Sequence, residues 1–148
     1  MFRGVAQLNL DSKGRLAVPA KFRDALAARC SGHLVITADS DRCLLIYPQP
    51  DWEPIEQKLM ALSSFNAQIR ELQRRLVGYA EDVVMDATGR ILVPSALRHF
   101  AQLEKAVMLV GQGNKFELWN KDSWEGRMDQ GSGFGPGGLP PELEGFSL

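Results

Sequence analysis

Two arginines, Arg15 and Arg90, are the residues of this chain best suited to bind an anion, because both stand in the same local pattern. In that pattern an aspartate lies four residues before the arginine and a glycine directly before it, giving the sets Asp11, Gly14, Arg15 and Asp86, Gly89, Arg90. A planar guanidinium group binds a carboxylate, a phosphate or the O6 and N7 atoms of guanine through two hydrogen bonds. Two interpretations therefore stay open: each arginine pairs with its aspartate or a neighbouring subunit and holds the fold, or it contacts a nucleic acid.

The two patterns belong to an internal repeat in which residues 8–19 recur as residues 83–94. The apolar positions match as well, with Leu8, Leu10, Leu16 and Val18 in the first copy and Val83, Met85, Ile91 and Val93 in the second. Apolar residues alternate on both sides of a short polar stretch, which predicts a β-hairpin in each copy, with strands over 5–10 and 15–18 in the first. An aspartate can accept hydrogen bonds from turn N–H groups and a glycine supplies positive φ, so the predicted turn-structuring residues are Asp11, Gly14, Asp86 and Gly89.

Alternation also predicts which way the side chains of the second strand face. It places Leu16 and Val18 on the core side, so Arg15 faces away from the core. A proline follows each second strand and suits the first turn of a helix, which predicts helices over 20–28 and 95–101. Two more strands follow each helix, over 34–37 and 43–47 in the first copy and over 106–110 and 116–119 in the second. The predicted order of each repeat is β-β-α-β-β.

Helical periodicity predicts two helices between the repeats, over 52–62 and 66–77. The polar side of the second carries Arg70, Arg74 and Arg75, which form either a solvated helix face or a nucleic-acid contact. The chain thus divides into a first repeat (residues 1–50), a helical connector (51–78) and a second repeat (79–127). A Gly/Pro-rich tail, residues 128–148, is predicted to be disordered.

The size of the repeats indicates how they fold together. A hairpin with one short helix cannot bury its apolar face alone, and two independent domains of about 50 residues would be marginally stable. We expect the repeats to exchange or interleave strands in one small β-barrel with approximate two-fold symmetry. The predicted fold class is therefore α+β, mainly β, with tandem repeats in a single barrel.

Composition narrows the classes of function. The 148 residues carry a net charge of −1, but residues 1–30 hold six basic and two acidic side chains, and the chain from residue 128 holds only acidic ones. This asymmetry is typical of a protein with a polyanion partner. No apolar run is long enough to span a membrane, Met1 leads directly into a predicted strand, and only Cys30 and Cys43 are present. These features predict a reduced, cytoplasmic protein.

No motif indicates an enzyme, a metal site or a cofactor. Gly111-Gln112-Gly113 lacks the third glycine of a dinucleotide-binding loop and precedes a predicted strand rather than a helix. Cys30 and His33 form a single pair without a second pair at metal-ligand spacing. We therefore predict no catalytic activity, no bound metal and no cofactor.

Several separate segments together resemble the MraZ family over about residues 1–125: Met1-Phe2-Arg3-Gly4, Leu10 to Leu16, Tyr47-Pro48 with Trp52-Glu53, Asp86 to Arg90, Val110-Gly111-Gln112 and Asn114 to Trp119. The resemblance implies a swapped-hairpin barrel related to AbrB-type domains, ring-shaped homo-oligomers and sequence-specific binding to double-stranded DNA. It also implies transcriptional control of the division and cell-wall gene cluster that contains the protein's own gene, at short G-rich direct repeats in the promoter. A cytoplasmic, nucleoid-associated location follows from that role.

The resemblance maps DNA contact onto the first turn, so we predict that Arg15 and Lys13 contact DNA, helped by Arg3 and by Arg90 of the second repeat. Thr88 replaces Lys13 in the second turn, so the two turns are electrostatically unequal. One chain offers few cations, whereas a ring would gather several turns on repeated DNA sites. The alternative is an oligomeric scaffold that binds protein through Trp52, Trp119 or the tail, without direct DNA contact.

Overall fold

The computed structural model describes residues 1–130 and 140–147. Within them the chain forms β1 (Phe2–Asn9), β2 (Arg15–Ala17), α1 (Ala20–Cys30), β3 (His33–Ala38), β4 (Leu44–Pro48), α2 (Gln49–Met60), α3 (Ala67–Leu76), β5 (Glu81–Val84), β6 (Arg90–Leu92), α4 (Ser95–Phe100), β7 (Ala106–Gly113), β8 (Phe116–Asn120) and α5 (Lys121–Gln130). The predicted β-β-α-β-β order is confirmed in both repeats. Helix α2 begins three residues earlier than predicted because Pro50 occupies its first turn, where a proline loses no helical hydrogen bond.

The strands pair between the repeats as well as within them. Six strands form an antiparallel sheet in the order β1-β7-β8-β4-β3-β5, and β2 pairs with β6 in a separate two-stranded ribbon. Strand β1 of the first repeat pairs with β7 of the second, and β3 pairs with β5. The repeats therefore interleave, as expected.

The predicted local hairpins are wrong, because β2 pairs with β6 rather than with β1. The turn between β1 and β2 does close, since the Asp11 N–H donates to the Arg15 carbonyl at 3.0 Å. Beyond it the strands diverge, and pairing across the repeats lets the apolar residues of β2 and β6 enter a common core. A lone hairpin offers no such core.

One apolar core serves both repeats. Leu16 and Val18 of the first repeat lie in it with Ile91 and Val93 of the second, each at most 3% exposed. The rings of Phe2, Phe22 and Phe116 pack within the same cluster, with centroids 4.4 to 5.7 Å apart. The α+β class with tandem repeats is confirmed. Within the described residues the strands form a six-stranded sheet and a separate two-stranded ribbon, so their pairing does not close into the single barrel that was expected.

The connector helices cover the opposite face of the six-stranded sheet. Trp52 and Leu59 of α2 pack on Val35, Leu45 and Tyr47, with side chains of α3 beside them. Asn66 caps the N-terminus of α3, and its side chain accepts hydrogen bonds from two N–H groups of the first turn. Helix α5 covers a further apolar cluster through Trp124. The ribbon and the connector thus lie on different sides of the sheet.

The carboxyl-terminal segment is described in part. Helix α5 continues to Gln130, and a short 3-10 turn spans Pro141–Leu143. The disorder predicted from residue 128 is therefore wrong for residues 128–130, which belong to α5. Residues 131–139 and 148 of the predicted tail lie outside the described residues. No helix in the described part of the chain is both long and apolar enough to cross a membrane.

Candidate nucleic-acid interface

The ribbon formed by β2 and β6 brings the two repeats into register at equivalent residues. Leu16 pairs with Ile91, while Arg15 lies opposite Leu92 and Ala17 lies opposite Arg90. The central pair occupies equivalent positions in the repeat, so an approximate local two-fold axis passes through it. Leu16 and Ile91 are buried at 0% and 2% exposure. Because side chains alternate along a strand, the flanking residues share the outer face.

Arg15 and Arg90 therefore lie diagonally across one solvent-facing surface. Diagonal neighbours in an antiparallel pair are about 7–8 Å apart. Their side chains are 30% and 37% exposed. We call this surface the arginine ribbon and define it as Arg15, Ala17, Arg90 and Leu92 with the turns 11–15 and 86–90 at its two ends. The sequence predicted Arg15 and Arg90 as separate anion-binding residues, and the structure places both on this one surface.

In the first turn, Asp11 organises both the backbone and the arginine. Its Oδ1 accepts hydrogen bonds from the N–H groups of Lys13 at 2.9 Å and Arg15 at 2.8 Å. Its Oδ2 accepts from Nε of Arg15 at 2.6 Å. These bonds, led by the Arg15 N–H, lower the pKa of the Asp11 carboxyl below its ordinary value. Gly14 has φ of +84°, a conformation that other L-residues rarely adopt.

The second turn repeats this arrangement around Asp86. Its Oδ1 accepts from the N–H groups of Thr88 and Arg90, both at 2.9 Å, and from the Thr88 hydroxyl at 2.8 Å. Its Oδ2 accepts from Nε of Arg90 at 3.2 Å. The Arg90 N–H, followed by the Thr88 hydroxyl, lowers the pKa of Asp86 to about 2. Gly89 has φ of +80°.

The two interpretations of the arginines are compatible in this geometry. Each aspartate engages only Nε of its arginine, and no hydrogen bond from Nη1 or Nη2 of Arg15 or Arg90 forms within the described residues. The carboxylate thus fixes the orientation of the guanidinium while two of its nitrogens remain as donors. Such a group can bind a phosphate or a guanine edge.

The structure places the other predicted contacts differently. Lys13 is exposed in the first turn, at one end of the arginine ribbon. Arg3 is exposed near the start of β1 and pairs in register with Gln112. The remaining residues of β1 separate it from the turn by about 20 Å of extended strand. Arg3 is therefore not brought to the arginine ribbon.

Two residues next to the ribbon were missed by the sequence analysis, Arg23 and Arg98. They too are equivalent in the repeat, because each lies four residues after the proline that precedes its helix, Pro19 or Pro94. Nε of Arg23 donates to the Val18 carbonyl at 2.7 Å, and Nε of Arg98 donates to the Val93 carbonyl at 2.9 Å. Extending the repeat through the helices would have singled them out, whereas their contacts depend on how the repeats interleave.

The other arginine cluster and the glycine-rich motif lie in α3 and β7. Arg74 of α3 pairs with Glu71, and both side chains are largely exposed. Gly111, Gln112 and Gly113 lie in β7 and lead to another strand, not to the helix that a dinucleotide-binding loop requires. No group of three or more potential metal ligands occurs among the residues that the structure describes.

Comparison with known proteins identifies the family. Residues 1–75 and 76–132 each match the family described as "MraZ protein, putative antitoxin-like". A protein of Nitrosomonas eutropha is 62% identical over 148 residues and one of Thiobacillus denitrificans is 57% identical over 148, with both chains covered completely. A protein of Pseudomonas aeruginosa is 49% identical over 151 aligned positions, again over the whole of both chains. All three are named Transcriptional regulator MraZ. The resemblance in the repeated turns is confirmed, and this chain belongs to the MraZ family.

Proposed function

We propose that this chain is a transcriptional regulator that binds double-stranded DNA through the arginine ribbon. The observation that carries the proposal is the placement of Arg15 and Arg90 on one exposed face, each with Nε held by an aspartate. The names of the full-length relatives support the regulatory role. The proposed mechanism is binding without catalysis, and it uses no metal or cofactor.

The shape of the surface suits the major groove of DNA. That groove admits a two-stranded β-ribbon, and arginine binds guanine O6 and N7 through two hydrogen bonds. Ala17 and Leu92 lie between the arginines, and Leu92 is 52% exposed. Apolar side chains in this position can contact thymine methyl groups. We assign base or phosphate contacts to Arg15 and Arg90 and a phosphate contact to Lys13.

The four turn residues hold these donors in place. Asp11 and Asp86 orient the guanidinium groups, while Gly14 and Gly89 allow the tight backbone path. Arg3 lies too far along β1 to act on the same DNA segment through this ribbon. We therefore leave it out of the proposed base-reading surface.

A homo-oligomer completes the proposal. One ribbon carries two arginines and a lysine, and specific DNA-binding proteins commonly neutralise more phosphates than that. A ring of subunits would set several ribbons on direct repeats and gain through effective concentration. The outer edges of β1 and β5 end the six-stranded sheet and offer backbone groups for subunit contact. The proposed targets are promoter repeats of the division and cell-wall gene cluster, in a cytoplasmic, nucleoid-associated setting.

Two of the contact residues suggested for a protein-binding scaffold are buried. Trp52 and Trp119 are 2% and 4% exposed and pack within their own chain. Neither indole offers a surface to a partner. The arginine ribbon is the better supported site.

The test is binding of the full-length protein to DNA from its own upstream region, measured by gel shift and by fluorescence anisotropy at several salt concentrations. Arg15→Ala should weaken binding by about tenfold to a hundredfold and reduce the slope of log affinity against log salt by about 1. Arg70→Ala makes the same charge change on α3, across the sheet, and should leave both quantities unchanged.

Two results would contradict the proposal. If Arg15→Ala retains the wild-type affinity and salt slope, the ribbon is not the DNA-binding surface. If the unmodified protein retards no upstream fragment even at low salt, direct DNA binding is excluded and the scaffold is favoured.

A further inference from the structure

We propose that each turn of the arginine ribbon is positioned by an arginine from the opposite repeat. Arg98 of the second repeat holds the turn that carries Arg15, and Arg23 of the first repeat holds the turn that carries Arg90. The consequence for DNA binding rests on the function proposed above, whereas the positioning itself does not. Both arginines are positioning residues rather than DNA contacts.

The first arrangement links α4 to the first turn through Val93. Nε of Arg98 donates to the Val93 carbonyl at 2.9 Å, and the Val93 N–H donates to the Gly14 carbonyl at 3.0 Å. The guanidinium also lies directly against Gly14. A Cβ atom at residue 14 would stand 2.7 Å from both Cζ and Nε of Arg98. Glycine thus gives the turn its positive φ and also leaves room for the arginine.

The second arrangement repeats the first with the repeats exchanged. Nε of Arg23 donates to the Val18 carbonyl at 2.7 Å, and the Val18 N–H donates to the Gly89 carbonyl at 2.8 Å. A Cβ atom at Gly89 would overlap the Arg23 guanidinium. The same three contacts therefore occur twice, at equivalent positions in the repeat. A chance surface contact would not be expected to recur in this way.

The exposure of the turns gives this support from the opposite repeat its role. Residues 11–13 are exposed, and the side chains that fix the turn come mostly from the turn itself. Arg98 is half-buried and fills the space beside Gly14. Its removal leaves the Val93 carbonyl without this donor and opens a gap beside the turn. Arg15 then loses the fixed backbone from which its guanidinium projects.

Hydrogen exchange on the intact full-length protein tests the positioning without DNA. The amides of Lys13, Gly14 and Arg15 are hydrogen-bonded within the first turn, so their exchange reports on its opening. Arg98→Ala should accelerate exchange of these amides by about tenfold, the effect of losing a part-buried hydrogen bond. Residues 88–90 should exchange as in the wild type. Arg23→Ala is the matched control and should produce the reverse pattern.

The pattern of exchange decides between positioning across the repeats and local support. If Arg98→Ala accelerates residues 88–90 instead, or both turns equally, the proposal is overturned. Thermal unfolding establishes that each variant remains folded. Should the alanine variant unfold, Arg98→Lys serves in its place, because lysine keeps the charge but lacks the Nε–H group and the planar fork.

A second measurement separates positioning from direct contact with phosphate. We expect Arg98→Lys to weaken DNA binding about as much as Arg98→Ala, since an ammonium group cannot reproduce the contact with Val93 and Gly14. Near wild-type affinity of Arg98→Lys would assign a direct ionic contact instead and overturn the positioning role. If Arg15→Ala leaves DNA binding intact, the proposed function fails, and hydrogen exchange still decides the positioning of the turns.

Discussion

At the scale of single residues, the aspartates matter more for orientation than for stability. Exposed ion pairs contribute little to the free energy of folding, and both aspartate–arginine pairs are partly exposed. Each carboxylate nevertheless joins backbone N–H groups and one guanidinium nitrogen in a single arrangement. The arginine therefore loses less side-chain freedom on binding an anion than a free arginine would.

The titration of Asp86 provides a direct check on this arrangement. Its carboxyl group should titrate in NMR with a pKa of about 2, below the ordinary 3.8. Because the folded-state value is lowered, its contribution to stability is complete above about pH 4 and is lost as the pH falls towards 2. Thr88→Val removes the hydroxyl donor and should raise the Asp86 pKa. A wild-type midpoint near 3.8 would show that the turn is not formed in solution.

Sequence spacing was sufficient to find the aspartates, glycines and arginines of the turns because their pattern is local. Spacing was not sufficient to predict the role of Arg23 and Arg98. Each donates a hydrogen bond within its own repeat, but Arg23 contacts Gly89 and Arg98 contacts Gly14, each in the other repeat. The position of Arg3 could not be predicted for a related reason. Arg3 is close to the first turn in sequence, but the extended strand β1 separates the two in space.

At the scale of elements, the ribbon of β2 and β6 is the part of the fold that carries the candidate site. Alternation correctly placed Leu16 inside and Arg15 outside, since the two faces of a strand follow from its period. Alternation does not specify a partner strand, so the choice of β6 over β1 could not be predicted from either repeat alone. Helices α1 to α4 were predicted well because proline positions and apolar spacing are encoded locally, whereas no range was predicted for α5.

Substitutions in β2 and β6 test the assignment of the two faces. Leu16→Ala should lower the free energy of unfolding by about 2–5 kcal/mol, because the side chain is fully buried at the centre of the ribbon. Leu92→Ala, one position from the central pair but on the exposed face, should change it by no more than about 0.5 kcal/mol. Chemical denaturation measures both. Equal losses of unfolding free energy would mean that Leu16 and Leu92 do not lie on a buried and an exposed face of the ribbon.

At the scale of the whole molecule, the repeats depend on each other for folding. All four strands of the first repeat pair with strands of the second, and both repeats contribute to one core. The expectation of a shared core, drawn from the small size of each repeat, is confirmed. The same interdependence explains why the hairpin of one repeat could not be understood in isolation.

A fragment comprising residues 1–78 should therefore not fold as an isolated monomer. Its circular dichroism should show no cooperative thermal transition at low micromolar concentration. Addition of residues 79–130 should restore one, because the missing partner strands β5, β6, β7 and β8 lie there. Analytical ultracentrifugation distinguishes a monomer from a fragment that pairs with itself. A monomeric fragment with cooperative, concentration-independent unfolding would contradict a shared core.

If the arginine ribbon binds DNA as proposed, the difference between Lys13 and Thr88 gives the protein a direction along the duplex. An ammonium group stands at one end of the surface and a hydroxyl at the other, so the two ends attract phosphate unequally. Reversing a subunit on the duplex would exchange a strong contact for a weak one. In the proposed ring, rotation would point all neighbouring subunits the same way along the DNA. They would then require operator units arranged head to tail rather than head to head.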